Sequence, residues 1–315
     1  MKPTPDTSVL QPAYPRAREV NRRWLTRDQL GRELIFILVS GGAIIMLLPF
    51  AWMISTSLKS PAEVFAYPII WLPEQPMWSN YERVFNLAGF DRMYLNSLFV
   101  ASASVTLNLL TSSLAGFAFA RLRFRGRDTL FLLYLATLMI PGQVTLIPVF
   151  ILIRALGWYD SYAALIVPSA VSVFSTFLLR QFFRSIPMDL DEAARMDGAG
   201  SLRIWWQIAL PLARPALATV AILGFLGSWN DFLWPLIVIH SRNLWTIPLG
   251  LSAFQGQYNV EWHLLMAGAS IAVLPIVLIY LAAGAFSEVG SYRPRSKGMA
   301  LADRLTQTVA LDSTD

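Results

Sequence analysis

Few residues of this chain are equipped for chemistry, and the most conspicuous lie in apolar surroundings. Asn230 and Asp231 fall inside the apolar stretch Leu217–Ile239. A carboxylate at such a depth costs several kcal/mol unless it is paired or faces protein or water. Two readings are open for the pair: the wall of a hydrated cavity, or a helix break that packs against a neighbour. Trp229 and Trp234 flank it. Their rings have the flat apolar faces that stack on the C–H side of a polyhydroxylated ring, and they equally suit packing or a lipid surface. Gln143, beside Pro141 and Gly142, is a further cavity candidate. His240 and His263 are isolated near the ends of apolar stretches and read as surface residues.

Other chemistry is missing. No G-x-x-x-x-G-K-[ST] run is present to cradle a nucleotide phosphate. No His, Asp or Glu cluster has metal-ligand spacing. With no cysteine, thiol catalysis, disulfides and thiolate metal sites are excluded. No nucleophile stands beside a base. The chain reads as non-catalytic, without a cofactor or metal of its own.

A second constellation is Ser185–Gly200, reading SIPMDLDEAARMDGAG. Pro187 cannot continue a preceding helix. Asp189 is placed to cap a new helix, with Glu192 three residues on as in a capping box. Asp189, Asp191 and Glu192 complement the helix dipole in a first turn. Ala193 and Ala194 are strong helix formers with small side chains, and Gly198 suits a left-handed stop. Ser201 is placed to cap a second short helix, Arg203 to Leu210, which Pro211 ends. Two short helices joined by a glycine bend form a compact rod that fits a cleft of another protein. An ordinary amphipathic loop is the alternative.

The elements that must position these groups follow from composition. Hydrophobic residues make up 55% of the 315, charged ones only 14%. Soluble domains carry about a quarter charged residues, so there is too little charge here for a water-facing surface. The 11 Trp suit rings seated at a lipid–water boundary. A membrane helix needs about 20 apolar residues. Six stretches qualify: Leu34–Ser55, Tyr94–Ala120, Thr129–Ile151, Tyr162–Phe182, Leu217–Ile239 and Leu264–Phe286. The expected fold is an all-α polytopic membrane protein, with no inverted pair of broken half-length spans. Residues 1–33 form an N-terminal segment, 34–286 the membrane domain, and 287–315 a tail. Within the membrane domain, 56–93 is an outer loop and 184–215 an inner segment.

Orientation follows from the basic residues. With the N-terminus inside, the outer segments hold only Lys59, Arg83, Arg92, Arg154 and Arg242 of the 25 Lys and Arg. The rest fall inside, which selects N-in and C-in by the positive-inside rule. The net charge of +5 is thus a topology signal and not a nucleic-acid footprint.

Glu192-Ala193-Ala194, then Gly198, then Ile208, Leu210 and Pro211 resemble the EAA signature of binding-protein-dependent ABC importer permeases. Ala115 to Gly126, Pro141-Gly142-Gln143 with Ile147-Pro148, Asp197-Gly198-Ala199 and Trp229 to Leu236 resemble its carbohydrate branch, the relatives of the smaller maltose-transporter permease. The resemblance runs from about Met46 to Phe286 and leaves the two ends unmatched. It implies a type I ABC importer transmembrane fold in a bacterial inner membrane. It also implies that Glu192, Ala193, Ala194, Asp197 and Gly198 contact an ATPase subunit, as coupling helices do in that family. Implied partners are a second permease subunit, two ATPase subunits that bind ATP and Mg, an extracytoplasmic solute-binding protein, the lipid bilayer and a sugar or oligosaccharide solute. On this reading the translocation-path candidates are Gln143, Trp229, Asn230 and Asp231. Glycerol-3-phosphate or a polyol is the near alternative. An ion-coupled transporter using Asp231, or a membrane-embedded enzyme, is the distant one.

Overall fold

The computed structural model describes residues 22–256 and 260–291. The described residues are helical apart from turns, loops and one isolated bridge, Gln255 to Val260. Residues 1–21 of the 1–33 segment and 292–315 of the 287–315 tail lie outside the described residues. Contacts divide the chain into two units, one ending at Trp52 and one starting at Met53. The first contains most of the first helix, α1 (Arg22–Ser57).

The second unit is built around α4 (Phe90–Arg121). Before it come α2 (Pro61–Val64) and α3 (Ser79–Ala88). These belong to the expected outer loop, and hydrogen bonds order it. Ser60 donates both its amide and its hydroxyl to Glu63 Oε2, at 2.7 and 2.8 Å. Asn80 Nδ2 donates to the carbonyls of Ser57 and Lys59, both at 2.9 Å. Glu63 is held below the usual carboxylate range, first by the Ser60 amide and then by its hydroxyl.

After α4 the chain departs from six uninterrupted spans. The third stretch is α5 (Arg127–Ala136), a 3-10 turn Thr137–Met139, and α6 (Gly142–Ala155), bent by 101°. Pro141 is the reason. It has no amide to continue the ladder, and it forces Ile140 into an extended conformation, φ −84° and ψ 115°. The fourth stretch is α7 (Tyr162–Ile166), a 3-10 turn through Pro168, and α8 (Val173–Ser185), bent by 40°. Two carbonyls near that break are satisfied from α4, as a break in a membrane helix requires. Asn108 Nδ2 donates to Ser169 O at 3.2 Å, and Thr111 Oγ1 donates to Ala170 O. A third bent pair is Ser201–Leu212 with Arg214–Trp229, at 79°. Among the described residues three helices are long and apolar enough to cross a membrane, or up to six if each of the three bent pairs is one span.

The rod region differs from its expected form. The helix α9 (Asp189–Met196) is entered from Met188, whose helical φ and ψ (−69°, −25°) leave no side-chain cap. Asp189 is therefore a first-turn residue and not a cap, because capping needs an extended residue at that position. The next helix starts at Ser201, with Gly200 before it. It comprises α10 (Ser201–Ile204), a π turn Trp205–Ala209 and α11 (Leu210–Leu212), so it runs through Pro211. The wide π turn, closed by Leu210 N–H to Trp205 O, makes room for the proline ring. The remaining helices are α12 (Arg214–Trp229), α13 (Leu233–Val238), α14 (Ile247–Ser252) and α15 (Trp262–Ser291).

Packing around α4 is close. A Cβ on Gly116 would lie 3.1 Å from Arg180 N and 3.2 Å from Leu179 Cβ and Thr176 O of α8. Small residues permit such backbone approach between membrane helices. One apolar cluster at this end joins Phe117, Leu179 and Phe183 to Ile204, Trp205 and Ala213. Another, at the far end of α4, gathers Val84, Phe90, Met93, Trp229 and Leu264. His263 is buried, 5% exposed, beside that cluster's Leu264, against the expectation of a surface residue. The first turn of α15 is packed into the molecule, which its isolated polarity in the sequence did not reveal.

Candidate functional site

The breaks in the helices shape a cavity of about 610 Å³. Ser104 and Asn108 of α4 line one side, with Gln143 and Thr145 of the first turn of α6. Ser169 before the break, Ser172 and Ser175 at the start of α8, and Ser228 and Asp231 around the end of α12 complete its polar groups. Leu146, Val149, Leu165 and Trp234 supply apolar surface. None of the described residues lining it is Lys, Arg or His. Hydroxyls, amides and one carboxylate over an apolar floor make a wall suited to a neutral, polyhydroxylated solute.

The sequence candidates separate here. Gln143 and Asp231 come together on the cavity wall. Asp231 also accepts the Trp234 amide at 3.3 Å, holding the start of α13. Both sequence readings of this carboxylate thus meet in one residue: it lines the cavity and it secures a helix break. Asn230 turns away from the cavity's polar groups and donates Nδ2 to Leu226 O at 2.8 Å, closing the end of α12. Trp229 is 2% exposed and donates Nε1 to Ala272 O at 3.1 Å. Its ring lies against Phe225 at 5.3 Å and Tyr94 at 5.6 Å, which makes it a packing residue in this conformation. Trp234 reaches the cavity wall while donating Nε1 to Ala164 O at 2.8 Å. Ser104 and Asn108 belong to the small polar residues of the second apolar stretch, whose types suit helix packing or a wet path, whereas the serines at 169, 172, 175 and 228 escape a sequence reading, because only the bends bring them to one space.

The second site is α9 and its bend. Glu192, Ala193, Asp197 and Gly198 are exposed, and Ala194 is half-buried against the cluster below. Gly198 has φ 78°, the left-handed stop the sequence predicts. Its amide bonds Arg195 O at 3.0 Å, and the Ala199 amide bonds Ala194 O at 2.9 Å, the longer bond of a Schellman stop. Met196 is 88% exposed and Leu202 72%. Exposed apolar side chains beside a small-residue helix form a surface fit to be covered.

Beneath α9 lies a contact the sequence did not disclose. Asp191 points inward and meets Arg121, the last residue of α4, at 3.7 Å, with both side chains buried. The Arg121 fork also donates Nη2 to Ile186 O at 2.6 Å and Nη1 to Met188 Sδ. From the sequence, Arg121 is a topology charge and Asp191 a dipole partner; only the folded contact joins them.

Comparison with known proteins places this geometry. Residues 108–288 match the family model of binding-protein-dependent transport system inner membrane components. An arabinooligosaccharides transport system permease protein from Halalkalibacterium halodurans is 36% identical over 242 residues, covering 76% of this chain and 87% of that one. An sn-glycerol-3-phosphate transport system permease protein from Shigella flexneri is also 36% identical, over 83% of this chain and 94% of its own. Among solved structures, a chain of a bacterial ABC transporter that imports the acidic polysaccharide alginate aligns over 90% of this chain and 100% of its own. Its TM-score is 0.73, at 26% identity. The chain therefore belongs to the binding-protein-dependent transport system inner membrane components, as a multi-pass permease subunit with the membrane fold of an ABC importer.

Proposed function

We propose that this chain carries a neutral sugar or oligosaccharide across a bacterial inner membrane, as one of two permease subunits driven by two ATPase subunits. The observation that carries the solute class is the cavity wall, where Asp231, Gln143 and serine hydroxyls stand with no cation among the described lining residues. The arabinooligosaccharide permease relative supports the same class. ATP and Mg belong to the ATPase partners, and this chain supplies the docking rod. Glu192, Ala193, Ala194, Asp197 and Gly198 form its contact, and an extracytoplasmic binding protein delivers the solute to the opposite face. Six spans, N-in and C-in, put the rod and the outer loop 56–93 on opposite sides of the bilayer. Gln143 and Asp231 flank the solute's path, and Asn230 and Trp229 fix the helix ends that shape it.

The glycerol-3-phosphate permease relative keeps a second reading in view. A phosphate would draw cationic groups to the wall, and the lining argues against it. Membership of a binding-protein-dependent family sets aside the self-sufficient ion-coupled transporter.

The test is co-purification of the tagged chain from mild detergent, followed by uptake assays with the binding protein that accompanies it. An ATPase and a second permease bound to the wild type, and ATPase lost from Glu192→Lys, are expected. A chain that purifies alone would refute the reading. Uptake of glycerol-3-phosphate in preference to neutral saccharides would move the solute to the second reading.

A further inference from the structure

Two sites on this molecule must communicate if it is an ATP-driven permease, and one contact joins the elements that carry them. The exposed face of α9 holds Glu192, Ala193 and Asp197. The next residue inward, Asp191, is 2% exposed, and its partner Arg121 is 4% exposed. Arg121 ends α4. Ser104 and Asn108, farther up that helix, line the cavity, roughly 20 to 25 Å away at 1.5 Å per residue.

We propose that Arg121 is a positioning residue that locks the docking helix to the cavity-lining helix α4, through Asp191 and the Ile186 carbonyl. The proposal rests on the importer reading above and goes beyond it by naming the joint through which the rod moves the cavity wall. The linker between α8 and α9 is short and contains Pro187, which has no amide to fix its own angle. Arg121 sets that angle instead. Its planar fork donates to the Ile186 carbonyl at 2.6 Å and to Met188 Sδ, and pairs by charge alone with the Asp191 carboxylate at 3.7 Å, beyond hydrogen-bond distance. A fork with fixed donor directions imposes geometry that a lysine ammonium does not.

The chemistry of the pair favours a joint over a simple staple. The other ion pairs at this end, Arg127–Asp128 and Arg180–Asp128, use an Asp128 side chain that is 70% exposed. In Arg121–Asp191 both side chains are buried. A buried pair adds little net stability over apolar residues of like shape, yet removing one partner strands a charge. Such a pair resists separation while giving little stability, which suits a joint that must transmit a push or pull. Gly116 lies on the same stretch of α4 in close contact with α8, so a tilt of α9 passes to both helices together.

The experiment uses the full complex, with the partner subunits that co-purify. The chain has no cysteine, so Thr145→Cys, on the exposed part of the cavity wall, reports the cavity alone. Its labelling by a water-soluble maleimide is compared with and without ATP plus vanadate. The variants are Asp191→Asn, Arg121→Lys and the exchange Arg121→Asp with Asp191→Arg. The wild type is expected to change labelling rate when ATP is trapped. In Asp191→Asn and Arg121→Lys, assembly and basal ATPase should persist while that change shrinks roughly five- to tenfold. The exchange should recover part of it. Full ATP-dependent labelling changes in both single variants would overturn the proposal. Loss of assembly in all three variants would also overturn it, by assigning the pair to folding alone. A wild-type complex that assembles but shows no ATP-dependent change would instead strike the importer reading itself.

Discussion

Single residues carry two local devices that are open to direct test. Gly198 sits at φ 78°, and a Cβ added there would meet nothing within 4 Å, so its constraint is backbone and not space. Gly198→Val therefore strains the bend by about 1–3 kcal/mol without clashing. The chain should insert normally, while the rod re-aims and ATP hydrolysis no longer drives uptake; normal uptake would remove the bend from the mechanism. Asp160 is the second device. Its carboxylate accepts the His240 amide at 2.9 Å, the Ser241 amide at 2.8 Å and the Ser241 hydroxyl. The Ser241 hydroxyl first, then these amides, hold Asp160 below the usual carboxylate range. A carboxyl depressed in the folded state stabilises above its unfolded pKa, and that contribution is lost as pH falls through the folded value. Asp160→Asn should lower the melting temperature at neutral pH, by the equivalent of ~1 kcal/mol or below for a partly exposed group. The gap to wild type should close below about pH 4. A gap that is constant with pH would show that the charge is irrelevant.

At the scale of elements, the contact between α4 and α8 decides how the cavity and the α9 end share one frame. Gly116 is the pivot of that contact, since the atoms facing it are mostly α8 backbone. Gly116→Val should cost about 1–3 kcal/mol as overpacking, read as a lower melting temperature in detergent. Gly227 of α12, with nothing within 4 Å, is the control. Gly227→Ala should match or exceed wild-type stability, by about 0.5–1 kcal/mol. Unchanged or raised stability of Gly116→Val, as helix propensity alone would give, would show that the close approach to α8 does not need the glycine. The same scale explains where sequence reading fell short. Prolines 141 and 168 were visible, but whether each bends a helix or is absorbed depends on what satisfies the freed carbonyls. Asn108 and Thr111 of α4 do that at the second break, and they are distant in sequence. Pro211, expected to end a helix, is instead carried through by the π turn before it.

For the whole molecule the testable quantity is sidedness. In the cysteine-free chain, Glu74→Cys in the outer loop should label from outside intact cells, and Arg123→Cys only after permeabilisation. Reversal of both would invert the proposed topology and separate the rod from any cytoplasmic ATPase. The sequence by itself determined the class of molecule. Low charge, long apolar stretches and the spaced motif from Glu192 to Pro211 are properties of residue type and order, and types and order are all that membrane partitioning and a linear family motif require. Tertiary structure alone decided which polar residues act together. Gln143 and Asp231 meet on one wall while Trp229 is packed away, and Arg121 meets Asp191 beneath α9. Those pairings depend on bend angles of tens of degrees and on side chains of other helices that satisfy the broken backbone, neither of which is written in any local run of residues.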